Sequence, residues 1–176
     1  MGGTTAAVSA AILKKEFGKT MKAIADSLFS DADDRTKERL METCCLYEQE
    51  ALEKNTENLL FPDVVDTIRQ LTLSHRVFIV SNCQSGYIEL FMKKSGTELY
   101  IEDWECFGDT GKSKGDNILL LMERNQITDA VYIGDTQGDY EAAQTAQIPF
   151  IFARYGFGQV KNCKRAIDGI KELLYL

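Results

Sequence analysis

The chain has 176 residues and a formal net charge of −7, and 44% of its residues are hydrophobic and 27% charged. This composition is typical of a globular domain and excludes a disordered or collagen-like chain. No stretch approaches the roughly 18 consecutive apolar residues of a membrane span, and the acidic charge disfavours nucleic acid or anionic membranes as partners. Five cysteines without a Cys-x-x-Cys pair, and an N-terminus without a signal-peptide pattern, predict a reduced, cytoplasmic protein.

The first third of the chain has the apolar spacing of helices. Met21, Ile24 and Leu28 recur at i, i+3 and i+7. A second apolar stripe follows at i, i+4, i+7 and i+11, formed by Leu40, Cys44, Tyr47 and Ala51. Both spacings match the helical period of about 3.6 residues. The acidic stretch 30–34 lies between them and is predicted to cap the second helix. We therefore predict a small helical domain over residues 1–60.

From residue 61 to residue 176, short apolar runs alternate with helical patterns. The predicted strands are 77–80, 104–107, 131–133 and 150–152. Predicted helices start at Pro62-Asp63, run through Ile88 to Gly96, start again at Gly115, and cover Ile167, Ile170 and Leu174. Continuous apolar strands that alternate with helices indicate a parallel sheet covered on both faces. The expected fold is therefore α/β, a Rossmann-like three-layer parallel sheet with a small helical domain beside it.

Two aspartates follow the predicted strand 131–133. Asp135 comes directly after Gly134, and Asp139 lies four residues on, in the first turn of the next helix. Two carboxylates about 5 Å apart repel each other by roughly 3 kcal/mol at an effective dielectric near 20. A hard cation removes this repulsion, and Mg²⁺ commonly takes one or two carboxylates together with substrate phosphate. The pair Asp135 and Asp139 therefore predicts a Mg²⁺ site, although a turn with a helix-capping aspartate is an alternative.

Other polar residues follow neighbouring elements. Ser81 and Asn82 come after the predicted strand 77–80, where a hydroxyl and backbone N–H groups can bind phosphate. The connector 108–115 carries Lys112 and Lys114, either of which can offset phosphate charge in a transition state. Lys114 is preferred because it lies next to a predicted helix start. Since ligands bind beyond the carboxyl ends of parallel strands, we expect these side chains around one site.

In this order, the hydroxyl, the lysine and the acidic pair resemble the motifs of the haloacid dehalogenase (HAD) superfamily of phosphohydrolases. Residues 77–82 resemble its second motif, Lys114 resembles its third, and Gly134-Asp135 with Asp139 resembles its fourth. The resemblance covers residues 62–158, and the helical first third resembles the cap that these enzymes insert after their first strand. It implies a HAD-like core over residues 61–176 and a helical cap over residues 1–60.

The resemblance implies a Mg²⁺-dependent phosphatase of the phosphoglycolate-phosphatase-like kind, acting on a small phosphorylated metabolite through an aspartyl-phosphate. Ser81, Lys114 and Asp135 would be its catalytic residues. Asp135 would hold Mg²⁺, with Asp139 as a second ligand or as support. Ser81, Asn82 and Lys114 would contact the phosphoryl group.

The resemblance also implies that residues 155–158 line the entrance to the site. A sugar-phosphate mutase of the same superfamily, similar to β-phosphoglucomutase, is an alternative because its core motifs would look alike. A non-catalytic phosphate-binding or interaction module is a second alternative. Mg²⁺-dependent hydrolysis of a phosphate ester would separate an enzyme from such a module.

The family's first motif, an apolar strand that ends in Asp-x-Asp and supplies the nucleophile, is not found. Residues 1–11 hold no aspartate, and Gly3-Thr4 alone resembles the tail of that motif. Asp31-Ala32-Asp33 follows a helical pattern and is predicted to be a capped loop between helices. We therefore expect a core without the strand that lies in the middle of the family's sheet, and slow or absent hydrolysis. A truncated sequence and a pseudoenzyme are both compatible with this, and a homodimer or strand-swapped dimer would fill the gap.

Overall fold

The helical part opens the structure, a computed structural model that describes residues 9–176. Gly3-Thr4 lies outside the described residues. The first helices are α1 (Ala10–Leu13), α2 (Met21–Leu28) and α3 (Asp34–Lys54). Asp33 caps α3, because its carboxylate accepts the Thr36 backbone N–H at 2.8 Å. This contact confirms that the acidic stretch between the two stripes caps the second helix.

The inner face of α3 is not the apolar stripe from which the helix was predicted. Cys44, Tyr47 and Ala51 are exposed, whereas Cys45 is half-buried and Leu52 is buried. The stripe Leu40, Cys44, Tyr47 and Ala51 correctly predicts a helix, but most of it does not face the core. Two apolar stripes one residue apart run along this helix, and neighbouring residues differ by about 100° around a helix axis. Packing against α2 and the following α/β part selects the second stripe, which the helical period alone does not determine.

The rest of the chain alternates between strands and helices, as predicted. The strands are β1 (Phe78–Ser81), β2 (Asp103–Cys106), β3 (Tyr132–Gly134), β4 (Phe150–Ala153) and β5 (Ala166–Ile167). The helices are α4 (Val64–Leu71), α5 (Tyr87–Ser95), α6 (Phe107–Thr110), α7 (Lys114–Arg124) and α8 (Gln137–Thr145), with 3₁₀ helices at Glu98–Tyr100 and Ile170–Tyr175. The pairs β1–β2, β3–β4 and β4–β5 are parallel. The predicted α/β fold with a Rossmann-like parallel arrangement is confirmed.

The C-terminal helix is shorter than predicted. Ile167 belongs to β5, where it pairs with Ala153 and accepts the Arg154 backbone N–H at 3.0 Å, and a 3₁₀ helix begins only at Ile170. The prediction of one helix over Ile167, Ile170 and Leu174 was wrong. Ile167 is fully buried, because as a strand residue it packs into the core and satisfies backbone groups at the edge of β4. A helical spacing of three apolar residues does not reveal this pairing.

The strands form two sheets. One contains β1 and β2, and the other contains β3, β4 and β5. Among residues 9–176 no backbone hydrogen bond joins β1 to β3; instead, Tyr132 Oη donates to the Val80 carbonyl at 2.9 Å. Val131, directly before β3, is 45% exposed, and Ile133, within β3, is 37% exposed. The division lies in the middle of the strand array, where the resemblance places the family's first strand.

One layer of helices covers both sheets and aligns their strand ends. Helix α7 contacts β1, β2 and α8, and α8 in turn contacts β3 and β4. Ile118, Ala142 and Ala146 form the core beneath these helices, and Val80 and Tyr132 pack against them from the two sheets. This shared core holds the carboxyl ends of β1 and β3 near each other. No helix in the described part of the chain combines the length and apolar character that crossing a membrane would require.

Candidate functional site

The end of β3 carries the acidic pair into a tight turn before α8. Asp135 follows the strand, and Asp139 is the third residue of α8. Thr136 is the N-cap of α8, and its hydroxyl accepts the Asp139 backbone N–H at 3.2 Å. Gly134 allows the turn to close, because a Cβ at this position would lie 2.5 Å from the Asp139 Cβ. The local sequence therefore brings both carboxylates to the same strand end, as predicted.

Both oxygens of the Asp139 carboxylate accept hydrogen bonds. Its Oδ1 accepts from Lys114 Nζ at 2.5 Å, and its Oδ2 accepts from the backbone N–H groups of Asp135 and Thr136 at 3.2 and 3.0 Å. The Thr136 hydroxyl donates to the same Oδ2 at 2.7 Å. Burial alone would raise the pKa of Asp139, but the Lys114 charge and these hydrogen bonds outweigh it and hold the pKa below its ordinary value of 3.8. Of the two predicted roles, ligand or support, these contacts match support.

Lys114 reaches this carboxylate from the start of α7. Ser113 caps the helix by accepting the Asp116 backbone N–H at 3.2 Å. Gly115 lets α7 approach α8 closely, because a Cβ there would lie 2.7 Å from the Thr145 side chain. The Lys114 side chain is 11% exposed and Asp139's is 5% exposed, so the ion pair is largely shielded from water. Lys112 is exposed to solvent instead, so the geometry favours Lys114 as the lysine of the site.

Asp135 keeps one carboxylate oxygen available. Its Oδ2 accepts the Phe157 backbone N–H at 2.7 Å, whereas Oδ1 accepts no hydrogen bond from the described residues. Gly156 packs directly on this side chain, since a Cβ there would lie 2.2 Å from the Asp135 Cβ. The loop 155–158, which the resemblance places at the entrance, thus holds the Asp135 carboxylate in one orientation. Its available oxygen can bind a cation.

Ser81 ends β1 and Asn82 follows it, so both lie at the carboxyl end of that strand. Ser81 Oγ accepts the Cys83 backbone N–H at 3.2 Å, and Asn82 Nδ2 donates to the Gly18 carbonyl at 2.7 Å. Gly18 has a φ of +83° and sits against Thr136, whose Cγ2 would be 2.8 Å from a Cβ at residue 18. Asn82 Oδ1 is buried, and no residue from 9 to 176 forms a hydrogen bond with it. A single backbone unit at Gly18 therefore separates the end of β1 from the end of β3.

The net charge of Asp135, Asp139 and Lys114 limits which ligands this group of side chains can bind. The carboxylates of Asp135 and Asp139 and the ammonium of Lys114 leave a net charge of −1. Such a cluster repels a phosphate dianion unless a cation joins it. Mg²⁺ is commonly held by one or two carboxylates together with water and phosphate oxygens. Asp135 fits as one such ligand, whereas the engaged Asp139 does not, and the described residues hold no group of three or more metal-ligating side chains.

Some contributors to the site were not identified from the sequence. Thr136 and Asp139 three residues on form a capping box, a pattern that is readable in the sequence. Gly18 and the Phe157 backbone N–H act through contacts with residues more than 20 positions away. No local pattern marks such contacts, because they exist only once the chain has folded.

Comparisons with known proteins bear on the family and the fold of this chain. The family model described as "Haloacid dehalogenase-like hydrolase" matches residues 4–153. A haloacid dehalogenase-like hydrolase from Bacteroides fragilis superposes with a TM-score of 0.81 at 22% identity, over 96% of this chain and 84% of that one. A predicted phosphatase from Clostridium acetobutylicum gives 0.78 at 18% identity, over 94% and 82% of the two chains.

A third solved structure, a predicted phosphoglycolate phosphatase from Haemophilus somnus, gives a TM-score of 0.79 at 15% identity, over 95% and 81% of the two chains. At these identities the structural likeness establishes the fold. No curated protein matches the sequence. The resemblance stated from the motifs is confirmed by the family match, which covers most of the chain.

Proposed function

Because this chain belongs to the haloacid dehalogenase-like hydrolase family, we propose that it binds small phosphate monoesters in a Mg²⁺-dependent phosphatase site at the end of β3. The observation that carries this proposal is the shielded Lys114–Asp139 pair, which anchors the Asp135 backbone and leaves one Asp135 oxygen available. Neighbouring structures described as a predicted phosphatase and a predicted phosphoglycolate phosphatase support the same reaction class.

Each residue has a distinct part in this proposal. Asp135 would hold Mg²⁺, which when bound neutralises phosphoryl oxygens and polarises them. Asp139 acts as a positioning residue, since it binds the backbone of Asp135 and Thr136 and pairs with Lys114. The Lys114 ammonium faces the strand ends and balances phosphoryl charge. The Ser81 hydroxyl accepts one backbone N–H and has its own proton left to donate to a phosphoryl oxygen.

Catalysis by the 176-residue chain is impaired in this proposal. The family reaction needs an aspartate that attacks phosphorus and displaces the alcohol, after which water hydrolyses the aspartyl-phosphate. The first aspartate of the sequence is Asp26, which lies in α2 and pairs with Lys22 and Lys37. A nucleophile knock-out lowers kcat by on the order of 10⁶. The missing nucleophile therefore favours, as a second candidate, a module that binds phosphate esters without turnover.

Isothermal titration calorimetry with inorganic phosphate tests the site. We expect binding in the presence of MgCl₂ and none in its absence. Asp135→Asn should weaken binding by about tenfold or more, because it removes the one carboxylate available to a cation. Asp129→Asn is the matched control, since Asp129 is exposed in the loop before β3, and it should bind like the wild type. Absence of binding with MgCl₂ would refute the proposed site.

Hydrolysis of p-nitrophenyl phosphate tests the impairment separately. Enzymes have a typical kcat of about 10 s⁻¹. Loss of the nucleophile lowers this by on the order of 10⁶, so we expect turnover on the order of 10⁻⁵ s⁻¹. Protein of verified intact mass should be used, so that a contaminating phosphatase or an altered chain is recognised. Robust Mg²⁺-dependent turnover that disappears in Asp135→Asn would overturn the impairment and leave the site assignment intact.

A further inference from the structure

An exposed group of aromatic side chains lies beside the proposed phosphate site. This aromatic cluster consists of Phe17, Phe61, Tyr155 and Phe157. The Phe157 ring packs edge-on against Phe17 with centroids 5.0 Å apart and contacts Phe61 at 5.7 Å, and Phe61 packs edge-on against Tyr155 at 5.1 Å. Despite these contacts, Phe157 is 61% and Phe17 is 47% exposed. The cluster therefore keeps apolar surface that the fold does not cover.

Two short connections tie the aromatic cluster to the site. The Phe157 backbone N–H donates to Asp135 Oδ2 at 2.7 Å, so this residue is adjacent to the carboxylate proposed to hold Mg²⁺. Phe17 precedes Gly18, whose carbonyl accepts from Asn82 at 2.7 Å and whose Cα lies against Thr136. Burial, with a smaller contribution from the negative Asp135, raises the pKa of Tyr155. The aromatic cluster thus adjoins both strand ends that form the site.

We propose that the aromatic cluster binds the organic group of the phosphate ester, and that this group is an aromatic ring or a similarly flat apolar group. The inference rests on the proposed function. A ring at this position covers exposed apolar surface and extends the edge-to-face packing already present, in which ring centroids lie about 4.5–7 Å apart. The hydroxyl groups of a sugar would meet three phenyl rings there, and the Tyr155 hydroxyl is the single side-chain hydrogen-bonding group of the cluster. Contiguous exposed apolar patches mark interaction sites, and ligand-binding grooves are among them.

A pair of phosphonates that differ only in the organic group tests the inference. Phenylphosphonate and methylphosphonate carry the same anionic head group and resist hydrolysis, so their affinities are measurable even if the protein does not turn over. Calorimetry with MgCl₂ present should give a Kd for phenylphosphonate about tenfold or more below that for methylphosphonate. Phe157→Ala, which retains the backbone N–H to Asp135, should reduce this ratio to about two or less. Phe17→Ala should reduce it as well and serves as an independent variant.

A matched control removes an exposed apolar side chain far from the site. Leu99 is almost fully exposed in the 3₁₀ helix before β2, and Leu99→Ala should leave both affinities unchanged. Equal binding of the two phosphonates by the wild type, or a ratio that survives both Phe157→Ala and Phe17→Ala, would overturn the inference and leave the phosphate site standing. Failure of both phosphonates to bind would overturn the inference together with the proposed function.

Discussion

The ion pair between Lys114 and Asp139 predicts that Asp139→Asn lowers the free energy of unfolding more than Lys114→Met does. Asp139→Asn removes the negative charge and leaves the shielded Lys114 ammonium without its carboxylate partner. The new amide also places a donor NH₂ group where Asp139 accepts hydrogen bonds on both oxygens. Removing one partner of a buried ion pair costs about 3–5 kcal/mol in the free energy of unfolding, and we expect a loss in this range.

Lys114→Met should cost less. The Asp139 carboxylate keeps three hydrogen bonds, from the backbone N–H groups of Asp135 and Thr136 and from the Thr136 hydroxyl. The variant therefore loses one hydrogen bond to a charged group, which is worth about 1.5–3 kcal/mol. The double variant should be more stable than the sum of the single losses indicates, by about 0.5–3 kcal/mol, because contacting residues couple.

The effect of Asp139→Asn should also depend on pH. The folded-state pKa of Asp139 lies below its ordinary value of 3.8, chiefly because the Lys114 charge overcomes the opposing effect of burial. A carboxylate with a depressed pKa contributes stability above its unfolded-state pKa, and this contribution is lost as the pH falls through the folded-state pKa. The stability difference between the wild type and Asp139→Asn should thus be full at pH 7 and shrink below about pH 4.

Urea unfolding followed by far-UV circular dichroism measures these differences, with the free energy taken from the midpoint and slope. Asp129→Asn is the control and should stay within about 0.5 kcal/mol of the wild type, as is usual for exposed positions. If Lys114→Met destabilises as much as Asp139→Asn, the asymmetric hydrogen bonding of the pair is refuted. If the two losses add, the coupling between the two residues is refuted. An Asp139→Asn deficit that grows in acid would contradict the direction of the pKa shift.

Three further predictions follow from close contacts. Gly156→Ala should cost about 1–3 kcal/mol through overpacking and weaken Mg²⁺-dependent phosphate binding, because its Cβ would lie 2.2 Å from the Asp135 Cβ. Tyr132→Phe should cost about 0.5–1.5 kcal/mol, since it removes the 2.9 Å hydrogen bond that connects the two sheets. Burial, followed by the hydrogen bond to Asp109, raises the pKa of Cys106 to about 12, so iodoacetamide at pH 8 should label exposed Cys44 and leave Cys106 unlabelled in mass spectra.

Each of these predictions has its own control. Gly169→Ala should be tolerated, because a Cβ at Gly169 meets nothing within 4 Å, and equal effects at Gly156 and Gly169 would rule out a steric cause. Tyr140→Phe is the control for Tyr132→Phe, since both tyrosine rings pack near Phe150; an equal loss in both would exclude the inter-sheet hydrogen bond as the cause. Labelling of Cys106 at the rate of Cys44 in folded protein would contradict its burial.

Strands β1, β3 and β4 were predictable because they are largely apolar runs that end at polar residues or glycine. The predicted strand 77–80 is observed at 78–81, and 104–107 at 103–106. Ile167 was assigned to the wrong element because its burial comes from pairing with β4, more than ten residues away. Helix α3 was predicted, but its buried face is set by tertiary contacts: two apolar stripes run along the helix, and its neighbours select between them.

The candidate site was predictable to the extent that its residues follow strand ends. Asp135, Asp139 and Lys114 each lie next to the end of a strand or the start of a helix, and the structure brings them into one hydrogen-bonded cluster. The contact of Asp139 Oδ1 with Lys114 was not predictable, because it depends on the approach of α7 to α8. The placement of Gly18 between the ends of β1 and β3 depends in the same way on contacts between distant segments.

The amino-acid sequence by itself determined the alternation of strands and helices, the helix caps and the order of chemical groups along the strand ends. These features depend on side-chain spacing and on capping hydrogen bonds between residues a few positions apart. They can therefore be recognised from a short stretch of the sequence. Tertiary structure decided which partner each polar group received and which aromatic rings pack together beside the Asp135 loop contact. Those outcomes depend on how separate segments pack, and packing is a property of the whole chain.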